Sequence, residues 1–488
     1  MKNIKFIFFL LLMLLGCSFD NKTGIWTDEP KKQVSNPEDP ESKDIGALKE
    51  NKNFKLKCAF IKDREEFEAC QTGIKKGLAG QKLELVFLEP KLFNEEKNVN
   101  LATKIKVDAP LKNINWLDTY LNKSNNASSF FYTNEKQKVF ESGKLSKKHN
   151  KDSGLVYNGN YVSYDHNGTI YVYSPQIKKK IFEYNFYKKN YKRYDKKISL
   201  IIDNGTIYAA DNLGYLYALD IEKQKFIWAQ NYGIPFRSNI KIANNQLILA
   251  NQDNIIYSID LKNGEKNWQL ATSSTFLKSD FHNNILIDKS NDNIIFINTN
   301  GELYSINYSN QKINYMINFS NRSLSGGSDL FDGLPISLKN GNLIATTNNS
   351  LLNYSANTAR RNWILQVSVE TKPIITKNNI FFTTKNKLLV CLDLLTGEVV
   401  WSKKIYGQIK KIKESKKIAK IGYVNDIALS GIELLILTSE GYLLSFNFKN
   451  GKFNSLKKVS RNNIISKFIF ADGKMYLIND KKKLVILN

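Results

Sequence analysis

Eight copies of one pattern, about 45 residues apart, constrain this 488-residue chain more than any other feature. The clearest copies are Gly214-Tyr-Leu-Tyr-Ala-Leu-Asp220 followed by Trp228, Asn254-Ile-Ile-Tyr-Ser-Ile-Asp260 followed by Trp268, and Lys387-Leu-Leu-Val-Cys-Leu-Asp393 followed by Trp401. In each the aromatic lies eight residues beyond the aspartate. Ser174 with Phe182, Asn307 with Tyr315 and Ser355 with Trp363 keep that spacing. Asn447 keeps the strand but has Ser455 at the aromatic place, and a last copy ends the chain at Asn488. The separations of 46, 40, 47, 48, 38, 54 and 41 residues match the length of a four-stranded antiparallel blade.

Alternation of apolar residues through 216–219 and its equivalents, rich in aromatic and β-branched types, predicts strands packed on both faces. A shorter strand such as 246–250 precedes each, joined by a turn such as 251–254. Turns such as Lys262-Asn-Gly264 and Leu395-Thr-Gly397 lead into the strand that carries the aromatic. The Asp or Asn that ends the third strand then bonds turn N–H groups, and the tryptophan covers apolar surface between blades. The last repeat offers strands at 464–470, 474–478 and 483–487 and then stops, so its fourth strand must come from upstream, because an open ring exposes edges. Residues 138–142 are the first candidate and 104–107 the second. The expected fold is all-β: an eight-bladed β-propeller of four-stranded antiparallel blades over residues 136–488, closed by an N-terminal strand.

Upstream, Lys2 and Lys5 precede a short apolar run ending Leu14-Leu15-Gly16-Cys17. The run is shorter than the roughly 20 apolar residues a spanning helix needs and has the order of a secretory signal. It resembles a lipoprotein signal of residues 1–16, with Cys17 as the lipidated mature N-terminus. Ser18, where enteric bacterial lipoproteins with an inner-membrane retention signal have aspartate, directs the expectation to the periplasmic face of the outer membrane. Residues 17–53 read as a flexible tether with Pro30, Pro37 and Pro40. Residues 54–135 form an extension of unassigned fold, in which 65–76 suggests a short helix, 83–88 a strand and 122–126 a polar stretch. An oxidising envelope permits a disulfide between Cys58 and Cys70 and leaves Cys391 unpaired in a repeat strand. Three histidines are too few and too dispersed for a histidine-built metal centre. The net charge of +25 suits anionic lipid or acidic protein surfaces; export removes nucleic acid as a partner.

These features resemble the BamB family of outer-membrane assembly lipoproteins, within the PQQ-like propeller superfamily. The resemblance rests on the lipobox, the eight repeats, and Leu324-Ser-Gly-Gly-Ser-Asp-Leu-Phe-Asp-Gly-Leu-Pro335, which is similar to the family's entry into a blade. It covers about 154–488; the lead-in is longer than the family's. The resemblance implies no chemical reaction and no cofactor or metal. It implies a scaffold that docks on the periplasmic domains of the barrel-forming assembly protein and helps nascent outer-membrane proteins fold and insert. Carried over by position, the docking residues are Asp329 and Asp332 on one loop, and Leu277 with Lys278 on the preceding one. Lys278 stands where the family more often has arginine, which loses the planar fork for a carboxylate. Two residues, Leu330 and Phe331, stand between the aspartates where the family has one. Phe236 with Arg237 is the rival docking pair, one blade earlier. Two other classes compete: an envelope propeller binding glycan, peptidoglycan or protein, and a quinone-dependent dehydrogenase. Against the second, the chain has no adjacent cysteines and no compact acid–amide cluster outside the repeat turns.

Overall fold

The computed structural model describes residues 93–99, 105–146, 154–187, 191, 194–276, 279–319, 330–409, 414–431 and 433–488, together with a two-stranded pair upstream. That pair joins Ser18–Phe19 to Trp26–Thr27 and belongs to a compact unit of its own, residues 1–87. Cys17, Cys58, Cys70 and the segments 65–76 and 83–88 lie outside the described residues.

Residues 88–488 form the second unit. It contains eight four-stranded antiparallel sheets in chain order: 155–185, 198–231, 241–271, 284–318, 337–366, 374–404, 424–458, and 469–487 completed by 138–144. The first strand of each blade is innermost, and the first strands of blades 8 and 1, Ile469–Ala471 and Leu155–Tyr157, touch. The ring is therefore closed. Closure is made by Lys138–Lys144, which runs antiparallel to Lys483–Leu487 with Lys138 opposite Leu487 and Phe140 opposite Ile486. The first upstream candidate is thus the closing strand. The second is not: residues 105–110 form no strand, and the backbone of Lys106 instead bonds Asn378 and Asn379 of blade 6.

The central strands carry the core. Leu216, Tyr217, Ala218 and Leu219 are all buried, because each blade is sandwiched between two others and both faces of its middle strands are covered. The outer strands alternate, as in Lys266–Ala271.

Repeat chemistry explains the spacing. Trp228 Nε1 donates to Leu261 O in the turn of the next blade, Trp363 to Leu394 O and Trp401 to Phe448 O, at 3.0, 3.0 and 3.1 Å. In blade 4, Tyr315 makes the same reach through its hydroxyl to Ala356 O, 2.6 Å. The turn glycine lies under the ring: a Cβ on Gly264 would sit 2.4 Å from Trp228, and one on Gly451 would sit 2.7 Å from Trp401. The repeat glycine thus serves two purposes, a positive φ and contact with an aromatic from the neighbouring blade. Asp220, Asp260, Asp393 and Asn447 accept turn N–H groups, as in Leu395 N and Thr396 N to Asp393 Oδ1 at 2.9 Å each. They are turn caps, as their position after a strand and before a glycine suggests.

The exception at Ser455 has a structural reason. Blade 8 takes its fourth strand, Lys138–Lys144, from upstream, so its third and fourth strands are not joined by a tight turn for an aromatic of blade 7 to cover. Lys136 fills the place instead, bonding Glu433 at 2.9 Å and Ser445 and Ser455 at 3.2 Å each. The first strand of blade 8 is also shorter than expected, Ile469–Ala471. Ahead of it, Ser466 Oγ accepts Ile478 N and Asp426 Oδ2 accepts Phe468 N, at 2.8 and 3.0 Å. Side chains join the backbone bond from Ile465 N to Ile478 O there.

Candidate functional site

The stretch just upstream of the closing strand crosses the inner strands of the whole ring. Trp116 exchanges backbone bonds with Val156 of blade 1. Leu117 O accepts Ile202 N of blade 2, Lys123 O accepts Ile287 N of blade 4, and Ser124 O accepts Leu338 N of blade 5. Asn126 makes a two-way amide contact with Ile375 of blade 6, at 2.9 and 3.0 Å. Phe130 N donates to Leu429 O of blade 7, and Asn113 O accepts Asp472 N of blade 8. Blade 3 is engaged through charge: Lys241 Nζ lies 2.7 Å from Asp118 Oδ2 and 2.7 Å from Asn122 O, with its side chain fully buried.

Residues 113–130 therefore plug the central channel at one mouth. Inner-strand groups that no neighbouring blade can satisfy are paired by this segment, as buried backbone requires. The polar run 122–126 supplies the bonds to blades 3 to 6: Asn125 and Asn126 are buried, and Asn125 Nδ2 donates to Asn284 Oδ1 and Ile285 O at 3.0 Å each. The sequence signal for this plug was the density of amides immediately before the first blade.

Above the plug lies a cavity of about 610 Å³, bordered by Trp116, Tyr120 and Phe130 of the plug and by the segments that enter the first strands. Its charged lining is uneven. Glu370 is engaged by Lys387, and burial raises its carboxyl while that lysine opposes the shift. Burial lowers Lys372 to about 7, with Lys467 and Lys241 adding to the shift and Asp426 opposing it. Burial raises the Asp426 carboxyl against the pull of Lys467 and of N–H groups from Phe468 and Ile427. Lys372 Nζ stands 5.8 Å and Lys241 Nζ 5.6 Å from the centre of the Tyr120 ring, within cation–π range.

Of the docking candidates, Phe236, Arg237 and Asp332 lie on loops that connect successive blades, at the end of the ring opposite the plug. Leu277, Lys278 and Asp329 are outside the described residues. Their neighbours are informative. Phe276 is 100% exposed and Leu330 is 46% exposed, and Asp332 is exposed. The first of these loops is tied to the second-to-third turn of blade 4 by Thr275 Oγ1 to Asn300 Oδ1 and Ser279 Oγ to Thr299 O, at 2.8 and 2.9 Å. The second is seated by Phe331, buried edge-on against Phe281 at 4.9 Å and over Gly301. The additional residue between the aspartates thus accommodates one inward anchor, Phe331, and one outward apolar side chain, Leu330.

Phe236 and Arg237 are placed otherwise. Phe236 is buried edge-on against Tyr232 and Tyr257, and Arg237 Nη2 donates to Ser279 O at 2.6 Å. Phe236 therefore offers no exposed ring to a partner, because the loop folds it inward to fill the blade 2–blade 3 junction. Phe276 was not singled out by sequence reasoning, since one phenylalanine among 28 carries no positional signal. Cys391 is a free, buried thiol. Among the described residues no group of three or more His, Cys, Asp and Glu side chains is placed to hold a metal ion.

A family profile described as "Outer membrane protein assembly factor BamB" matches residues 188–403. Proteins of that name from Shewanella oneidensis and Moranella endobia are 21% and 19% identical over 344 and 311 residues. These matches span 60% and 53% of this chain and 85% and 77% of the relatives. Among solved structures, BamB from Moraxella catarrhalis aligns with a TM-score of 0.56 at 13% identity, covering 72% of this chain and 99% of that one. A quinohemoprotein alcohol dehydrogenase from Comamonas testosteroni also reaches 0.56, at 8% identity, covering 77% and 80%. Structural likeness at this identity establishes the propeller and not the activity, since one fold hosts many functions. The sequence matches, read with the eight-bladed fold and the repeat that builds it, make this chain similar to the BamB family of β-propeller proteins.

Proposed function

We propose that the protein is a non-catalytic scaffold of outer-membrane β-barrel assembly. It is held at the periplasmic face of the outer membrane by lipid on Cys17 and docks on the periplasmic domains of the barrel-forming assembly protein. The observation that carries the docking surface is the exposure of Phe276 and Leu330 on successive loops of one propeller face, with the exposed Asp332 two residues beyond Leu330. Exposed apolar side chains beside charge on loops fixed by a rigid scaffold are the usual material of an interface anchor. Leu277, Lys278 and Asp329 adjoin these residues in sequence and belong to the same proposed surface. The relatives named as assembly factors support the reading.

Affinity purification of the tagged full chain from detergent-solubilised membranes tests it. Wild type should retain the barrel-forming protein. Combining Phe276→Asp with Asp332→Lys should weaken retention by roughly 2 kcal/mol or more, about thirtyfold, with an unchanged circular dichroism spectrum. Full recovery of the partner by that variant would sink the surface, and absence of the partner from the wild-type eluate would sink the function. The anchor has its own measurement: Cys17→Ser should move the protein out of the membrane fraction and abolish acyl labelling, because two or more acyl chains are what hold a protein firmly on a bilayer.

A further inference from the structure

The channel above the plug holds cationic groups that the fold does not neutralise. Lys197, Arg237, Lys372 and Lys467 border the cavity. Among the described residues, no carboxylate lies within 4.0 Å of the Lys372 or Lys467 ammonium group. Asp426, on the lining, interacts electrostatically with both, and it already accepts Phe468 N at 3.0 Å. Glu370 belongs to Lys387. Lys196, also on the lining, is turned onto the Tyr191 carbonyl and the Tyr187 ring. Elsewhere along the plug the fold pairs lysines with carboxylates: Lys241 has Asp118 and Lys339 has Asp108. Leaving Lys372 with no carboxylate at ion-pair distance is costly, since a desolvated ammonium is penalised unless an anion compensates it.

We propose that the blind channel is a binding site for a small polyanion bearing carboxylate or phosphate groups, held between Lys372 and Lys467 beside Tyr120, with Arg237 and Lys197 on the wall. The plug is part of the site. It closes one mouth, so a ligand enters from the face of the blade-connecting loops, and its Tyr120 ring flanks Lys372. A cavity of about 610 Å³ takes a molecule of this class, and pockets of this size are ordinary for small ligands. The low proton affinity of Lys372 fits a group that waits for an anion: a bound oxyanion would restore its charge. The site stands independently of the docking surface.

Calorimetric titration of the purified full chain with citrate and, separately, with pyrophosphate tests the assignment and distinguishes the two chemistries. At least one probe should bind saturably at one per chain. Lys372→Met with Lys467→Gln should weaken that binding at least tenfold, whereas Lys262→Gln, on an exposed turn of blade 3, should leave it unchanged. Lys372→Met retains the aliphatic volume and removes a charge that burial penalises, so its thermal midpoint should not fall. The single variant Lys467→Gln changes an exposed side chain and keeps the test sound if the double variant folds poorly; it should weaken binding severalfold. Absence of saturable binding of either probe at millimolar concentration overturns the proposal. Equal affinity in wild type and the Lys467→Gln variant also overturns it, since the anion would then be reading only the general positive charge of the surface.

Discussion

Asp118→Ala is expected to destabilise residues 88–488 by about 3–5 kcal/mol, the range for a buried ion pair that loses one partner. Lys241 is fully buried, and its ammonium is held by the Asp118 carboxylate and the Asn122 carbonyl, with the Tyr120 ring 5.6 Å away. Asp118 also accepts Tyr120 N at 2.8 Å, so the loss reaches the plug's own turn. Urea unfolding followed by tryptophan fluorescence measures it. Adding Lys241→Met should return most of the loss, because the cost lies in the uncompensated charge and not in a missing attraction. The pH dependence has a definite sign. Burial lowers Lys241 below its ordinary value, so between its folded pKa and the unfolded value near 10.5 the unfolded state binds more protons and stability rises with pH. Removing Asp118 takes away what opposes that lowering and should extend the rise to lower pH. A variant as stable as wild type at neutral pH would mean that the plug contributes nothing to ring stability.

Trp401→Ala is the second large effect, expected at about 3–5 kcal/mol for removal of a fully buried aromatic. The indole is completely inaccessible, packs on Phe381 at 6.1 Å between ring centres, and donates to Phe448 O of the next blade. Gly451→Ala should destabilise through the same contact, because its Cβ would approach the indole to 2.7 Å and its φ is +65°. The two should couple. With the indole gone the clash disappears and only the left-handed backbone remains, at about 1–2 kcal/mol for an L-residue. Additivity of the two losses in thermal or urea unfolding would show that glycine is there for backbone conformation alone.

Much of this fold was legible because a propeller writes itself into sequence at two periods. Alternation within strands gave the blades, and the return of Leu-Tyr-Ala-Leu-Asp with its tryptophan gave their number. Aspartate and glycine at fixed offsets marked the turns because the cap and the positive φ are local requirements. The missing fourth strand of blade 8 pointed upstream, and 138–142 lies within the strand that closes the ring. The site was less legible. Phe236 and Arg237 have the composition of an interface anchor, yet the ring of Phe236 is buried against Tyr232 and Tyr257. Phe276, with an unremarkable sequence context, stands fully exposed. Exposure on a loop is settled by what packs behind it, and no short pattern encodes that.

By itself, then, the chain determined blade number, strand order, turn chemistry and the need for an upstream closing strand, since each depends on residues within one repeat or on counting repeats. Only tertiary structure decided that residues 113–130 plug the channel. Their bonds reach inner strands from Val156 to Asp472, and partners scattered over more than 300 positions leave no periodic trace. The same is true of Lys372 and Lys467, which are remote in sequence and meet in one cavity. Closing the ring brings every first strand to one axis, and whatever charge those strands and their entries carry is concentrated there.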